Sequence, residues 1–151
     1  MIRKITGVIV GYIAMVAFVF ISFTVLYLIL GAEGSFEPGT YKVSTVWIVF
    51  SIIFSLIAAV LGGYVCMLIA KTKKTAMVLA GIVFVLGIII AIPALGEAGV
   101  ESNKVREGSV SNTEAMQNAE QPAITLILNP ILGVIGVIAG AGLWREKKVE
   151  V

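Results

Sequence analysis

The residues of this chain best suited to chemistry lie in its last apolar run, where Asn129 and Pro130 interrupt an otherwise aliphatic and glycine-rich stretch from Ala123 to Leu143. Proline has no amide hydrogen, so a helix passing through position 130 leaves the carbonyl of Leu126 without its usual donor. In a medium without bulk water that oxygen needs another partner, and the Asn129 amide can supply part of one. A freed carbonyl beside an amide can grip a small polar solute or a lipid headgroup, making the pair a ligand site or a hinge. It can equally be a tolerated kink, satisfied by neighbouring hydroxyls. Tyr12, Tyr64 and Asn129 are the polar side chains on which an enzyme acting on lipid would have to rely.

Little else in the sequence is reactive. Histidine is absent, which removes the usual general base, the usual membrane haem ligand and most catalytic zinc sites. The single cysteine, Cys66, can form no intramolecular disulfide and reads as a small apolar packing residue. No nucleotide-phosphate loop or metal-ligating cluster is present. No Asp, Glu, Lys or Arg falls within the apolar runs, whereas proton-coupled carriers keep an ionisable group at depth. The expectation is therefore no catalytic residue, no cofactor and no metal, and the balance leans away from an enzyme.

The elements that must position these residues are membrane helices. The 151 residues are 59% hydrophobic and 13% charged, about half the charged share of a soluble domain, and the mean hydropathy is +1.05. Four apolar runs approach or exceed the roughly 20 residues that cross a ~30 Å hydrocarbon layer. The first follows Arg3 and Lys4 in the manner of a signal peptide, but at ~39 Å as a helix it is too long for one and reads as a retained span. The predicted fold is all-α: a polytopic, left-handed bundle of four transmembrane helices near 5–31, 45–70, 75–95 and 123–144, forming one integral membrane domain.

Small residues mark the predicted packing seams. Ser51, Ser55, Ala59, Gly62, Cys66 and Ala70 recur at spacings of three or four, so one face of the second helix is a strip against which another helix can lie closely. Gly7 and Gly11 form a GxxxG pair in the first run, and Gly133, Gly136 and Gly140 follow Pro130 in the fourth. Pro93 is expected to stop or kink the third. The hydroxyls of Tyr12, Ser22, Thr24 and Tyr27 are expected to bond to carbonyls of their own helix.

The loops differ in character. In residues 32–44, Glu37-Pro38-Gly39-Thr40 fits a type II turn, Ser44 or Thr45 can cap the second helix, and Tyr41 and Trp47 are expected at the headgroup level. The long polar loop 96–122 carries five glutamates against Lys104 and Arg106 and has little to bury on its own. Ser111 followed by Glu114 matches a capping box for a short helix over about 112–120.

Charge placement sets the expected orientation. Arg3 and Lys4, then Lys71, Lys73 and Lys74, then Arg145, Lys147 and Lys148 flank the runs on one side, so the positive-inside rule puts both termini in the cytoplasm of a cell membrane, with a prokaryotic one expected. These residues serve topology and contact with anionic lipid. They form no stripe for nucleic acid, and the expected partners are the lipid bilayer and either a second copy or a companion membrane protein.

No motif assigns the chain to a family. A short first outer loop followed by a longer second resembles the topology of tetraspanins, but the cysteines of their outer loop have no counterpart here. The size and helix count are similar to the membrane-bound glutathione and eicosanoid enzymes, whose sites use charged residues within the bundle. The expected function is that of a small non-enzymatic membrane protein acting through helix association, as homo-oligomer or accessory subunit. The rival expectation is a carrier or channel for a small uncharged solute or a lipid, pivoting on the fourth helix.

Overall fold

The computed structural model describes residues 1–97, 105, 106, 108 and 110–144. The described residues form five helices and no strand: α1 (Ile2–Ser35), α2 (Thr45–Ala70), α3 (Lys73–Glu97), α4 (Asn112–Asn118) and α5 (Ala123–Leu143). Four of them, α1, α2, α3 and α5, are long and apolar enough to cross a membrane. Their outer faces are covered with exposed Ile, Val, Leu and Phe, which water would not tolerate and lipid tails accept. The chain is a multi-pass integral membrane protein built as a four-helix bundle.

Helix boundaries follow local chemistry. Helical geometry in α1 is interrupted at Gly31, whose φ of +64° suits glycine, and one further turn runs to Ser35. Gly39 at φ +71° and the Thr40 N–H donating to Glu37 O at 3.1 Å complete the turn at Glu37–Thr40. Ser44 caps α2, its hydroxyl accepting from Trp47 N at 3.2 Å and donating to Gly34 O at 2.7 Å. At the opposite end, Lys71 in the left-handed region (φ 51°) terminates α2. Only Lys71 and Thr72 separate α2 from α3, so Lys73 and Lys74 already belong to the first turn of α3. Helices α3 and α5 continue past Pro93 and Pro130 respectively. Proline therefore stops neither helix; each forgoes one backbone hydrogen bond.

Packing is uneven around the bundle. Helix α2 is central, lying against α1 on one side and α5 on the other, while α3 leans chiefly on α5 and meets α1 over a short length. A compact midsection of Met15, Ala59, Cys66, Leu79, Ala80 and Val137 joins all four spans. A second, aromatic-rich cluster lies at the loop end, where Phe36, Tyr41, Val43, Trp47 and Ala115 pack on Leu26 and Tyr27.

Candidate functional site

The α2–α5 crossing is closed by backbone contact. A Cβ built on Gly63 would overlap the carbonyl of Val137, and one on Gly140 would overlap the carbonyl of Val60. The two contacts are reciprocal: Val60 and Gly63, three apart on α2, meet Gly140 and Val137, three apart on its parallel neighbour α5, a geometry in which Cα–H groups approach carbonyl oxygens. Gly136 lies beside them, its Cβ position 2.5 Å from Ala59 Cβ. On the other side of α2, a Cβ on Gly11 would stand 2.8 Å from Gly62 O and 3.0 Å from Cys66 Cβ, and one on Gly7 would stand 2.8 Å from Ala70 Cβ. Gly133 faces α3 instead, where its Cβ position is 2.7 Å from Val83 Cγ1.

The strip on α2 is thus divided between two neighbours within the same chain. Gly62, Cys66 and Ala70 meet α1, whereas Ala59 meets α5. Ser51 is buried nearer the loops with its hydroxyl donating to Ile48 O at 2.8 Å, and Ser55 is half-buried. Gly63, absent from the three-and-four spacing read in the sequence, makes the tightest approach to α5 together with Gly140.

Pro130 is buried against α3, 2.8 Å from where a Cβ on Gly87 would be, so the missing side chain at 87 makes room for the ring. The neighbouring Asn129 is half-buried, and its Oδ1 is enclosed with no hydrogen-bond partner. Tyr64 is exposed and Tyr12 half-buried; Tyr12 packs against the midsection cluster. Among the described residues no group of three or more His, Cys, Asp and Glu gathers that could hold a metal ion.

The most elaborate polar arrangement lies outside the spans. Arg106 is 4% exposed and fastens its part of the second long loop onto the first. Its Nη1 donates to Gly108 O at 2.6 Å, its Nε to Thr40 O at 3.3 Å and its Nη2 to Glu33 Oε1 at 2.9 Å. Its backbone N–H donates to Gly39 O at 3.0 Å, and the guanidinium stands 6.0 Å from the centroid of the Phe36 ring. Further along, Val43 N donates to Glu120 O at 3.1 Å and Glu120 N to Tyr41 O at 2.9 Å. Helix α4 is capped by Ser111, whose hydroxyl accepts from Glu114 N at 3.2 Å. The Glu114 carboxylate does not return to Ser111 but accepts the Tyr41 hydroxyl at 3.0 Å.

Two sequence expectations change here. The Tyr27 hydroxyl donates to Val110 O at 2.6 Å, and Thr24 Oγ1 accepts from Asn112 Nδ2 at 3.2 Å, so both tie α1 to the second loop rather than to their own helix. Tyr41 and Trp47 do not face lipid but are buried, Trp47 lying 5.3 Å from Phe23 and 6.4 Å from Phe36 between ring centroids. Phe23, Phe36 and Phe54 offer these rings apolar partners at the end of the bundle, and Glu114 takes the Tyr41 hydroxyl. Burial pushes the Tyr41 phenol up from its ordinary value of 10.0, and the hydrogen bond to Glu114 adds to the rise. The result is a folded cap covering the loop end, made by segments that have no core of their own.

At the opposite end, Arg3, Lys4, Lys71, Lys73 and Lys74 are all exposed. Two lysines in the first turn of α3 oppose its helix dipole by roughly 0.3–1 kcal/mol each, comparable with the ~1 kcal/mol that each gains beside an anionic membrane surface. Arg145, Lys147 and Lys148 lie outside the described residues. Comparison of the chain with protein-family models, curated proteins and solved structures gives no match.

Proposed function

We propose that this integral membrane protein is non-enzymatic and acts through association, as an accessory subunit that presents its cap to a partner protein. The observation that carries this reading is the enclosure of Arg106 among three side-chain hydrogen bonds, which ties Arg106 and Gly108 of the second loop to Glu33 and Thr40 of the first. Holding these described residues in one arrangement removes their conformational freedom, and a fixed surface suits recognition because that ordering is already complete before a partner arrives. The described cap residues carry four carboxylates against Lys42 and Arg106, and Glu33, Glu37 and Glu114 are exposed. Such a surface repels a second copy of itself and suits a basic partner. A homo-oligomer built on the glycine seams is less favoured, because the tightest glycines already meet helices of their own chain.

The basic residues at the lysine end support a cell-membrane location with the termini cytoplasmic. The test is a photo-crosslinking side chain at Met116, exposed on α4, with a second at Ile89 on the exposed face of α3 as reference. In the source membrane, Met116 should give one defined protein adduct and Ile89 mainly lipid. Lipid adducts alone at both positions would contradict the reading.

A second reading, a carrier for a small uncharged solute or a lipid pivoting on α5, draws support from the enclosed and unpartnered Asn129 Oδ1 beside Pro130.

A further inference from the structure

We propose that the cleft between α1 and α3 at the lysine end binds one acidic phospholipid, with the headgroup phosphate on Lys4 and Lys74 and an acyl chain lying inward along Val8, Val78 and Ile82. The cleft has a volume of about 460 Å³ and is lined by Ile5, Val8, Val78 and Ile82 below the two lysines. It arises from the packing: α1 is drawn onto α2 by Gly7 and Gly11, α3 is drawn onto α5, and α1 and α3 touch over a short length toward the core, where Leu79 reaches the Gly11 position. From Lys74 to Ile82 the lined stretch of α3 runs roughly 12 Å along the helix, enough to receive the upper part of an acyl chain.

The occupant follows from chemistry. Water has too few polar partners on these walls to fill such a space, and in a bilayer the abundant apolar filler is an acyl chain. Both lysines are exposed while their stems line the cleft, placing two ammonium groups at headgroup level. Among the described residues, every glutamate lies at the cap end of the bundle, so no described carboxylate competes for these ammonium groups. Two cations above one chain-sized apolar slot match an anionic headgroup rather than a zwitterionic one.

The test is native mass spectrometry of the full chain ejected from nanodiscs of mixed phosphatidylcholine and phosphatidylglycerol. The wild type should retain one phosphatidylglycerol in preference to phosphatidylcholine. The Lys4→Gln/Lys74→Gln pair should weaken that preference about 30-fold, whereas Arg3→Gln/Lys71→Gln, which removes the same charge away from the cleft, should keep it. Val78→Trp leaves every charge in place and fills the slot, so it should also lose the bound lipid. Excess inorganic phosphate should not displace the lipid, because phosphate alone lacks the chain. The proposal is overturned by the absence of phosphatidylglycerol preference in the wild type, by equal losses in the two double variants, by unchanged retention in Val78→Trp, or by displacement with phosphate.

Discussion

Arg106 and Glu33 form an ion pair whose two members live in different surroundings: the arginine side chain is 1% exposed and the glutamate 78%, with Nη2 and Oε1 2.9 Å apart. An exposed carboxylate contributes little through such a pair, about 0–1 kcal/mol. The enclosed guanidinium owes its position mainly to the carbonyls of Thr40 and Gly108, and hydrogen bonds made by a charged group contribute about 1.5–3 kcal/mol.

Arg106→Ala should therefore loosen the cap by roughly 2–3 kcal/mol, while Glu33→Gln changes it by less than about 1 kcal/mol. Arg106→Lys should resemble the alanine variant more than the wild type, since an ammonium cannot reproduce the planar fork. Hydrogen exchange at the amides of Val43, Arg106 and Glu120 measures this, with the spans as internal reference. Equal effects of the Arg106 and Glu33 variants would mean that the ion pair, not the carbonyl bonds, holds the cap.

Gly63→Ala and Gly140→Ala should each destabilise the bundle by about 1–3 kcal/mol, the usual effect of overpacking. In both cases the obstructing atoms belong to the backbone of the facing helix, which no rotamer change can clear. Gly81→Ala, where a Cβ meets nothing within 4 Å, should be neutral or slightly stabilising through helix propensity. Unfolding in mixed detergent micelles ranks the three variants.

The cap should weaken in alkali. The Tyr41 pKa is raised in the folded chain, so its contribution is complete below the unfolded value near 10 and is lost as pH climbs through the higher folded value. Ionisation replaces the donated bond to Glu114 with two facing anions. Trp47 fluorescence followed through thermal unfolding at rising pH should show a steeper loss in the wild type than in Tyr41→Phe. Identical pH profiles would remove Tyr41 from the account.

Asn129→Leu distinguishes the two functional readings. An enclosed amide oxygen without a partner is unfavourable by about 1–3 kcal/mol, so an accessory subunit should gain stability from the change and keep its complex. A carrier that grips solute or lipid there should lose uptake instead, and Pro130→Ala should impair the same uptake while leaving assembly intact.

The membrane fold was legible because its signal is one of length: four apolar runs leave no alternative in a chain with so few charges. The α2 strip was legible as a row of small residues, but not its division between α1 and α5. That division depends on which carbonyls approach, and Val60 and Val137 bring theirs through backbone geometry that side-chain type does not record. The cap was the least legible part. Residues 105–122 carry no hydrophobic periodicity, and Arg106 is held by backbone oxygens at 40 and 108, for which any sequence would serve. Tyr27, Thr24 and Trp47 were the available signals, being polar or aromatic groups clustered at one end of two spans, yet each also fits a lipid interface. Val8 and Val78 gave no hint of a cleft, since a gap between helices is a property of neither helix alone.

Native mass spectrometry of the protein gently extracted from its own membrane, wild type beside Arg106→Ala, is the most direct test of association through the cap. A single copy held with a stoichiometric companion chain, released when Arg106 is replaced although the spans stay folded, is the predicted result. A wild-type protein that emerges alone, or a companion retained equally by the variant, would contradict it.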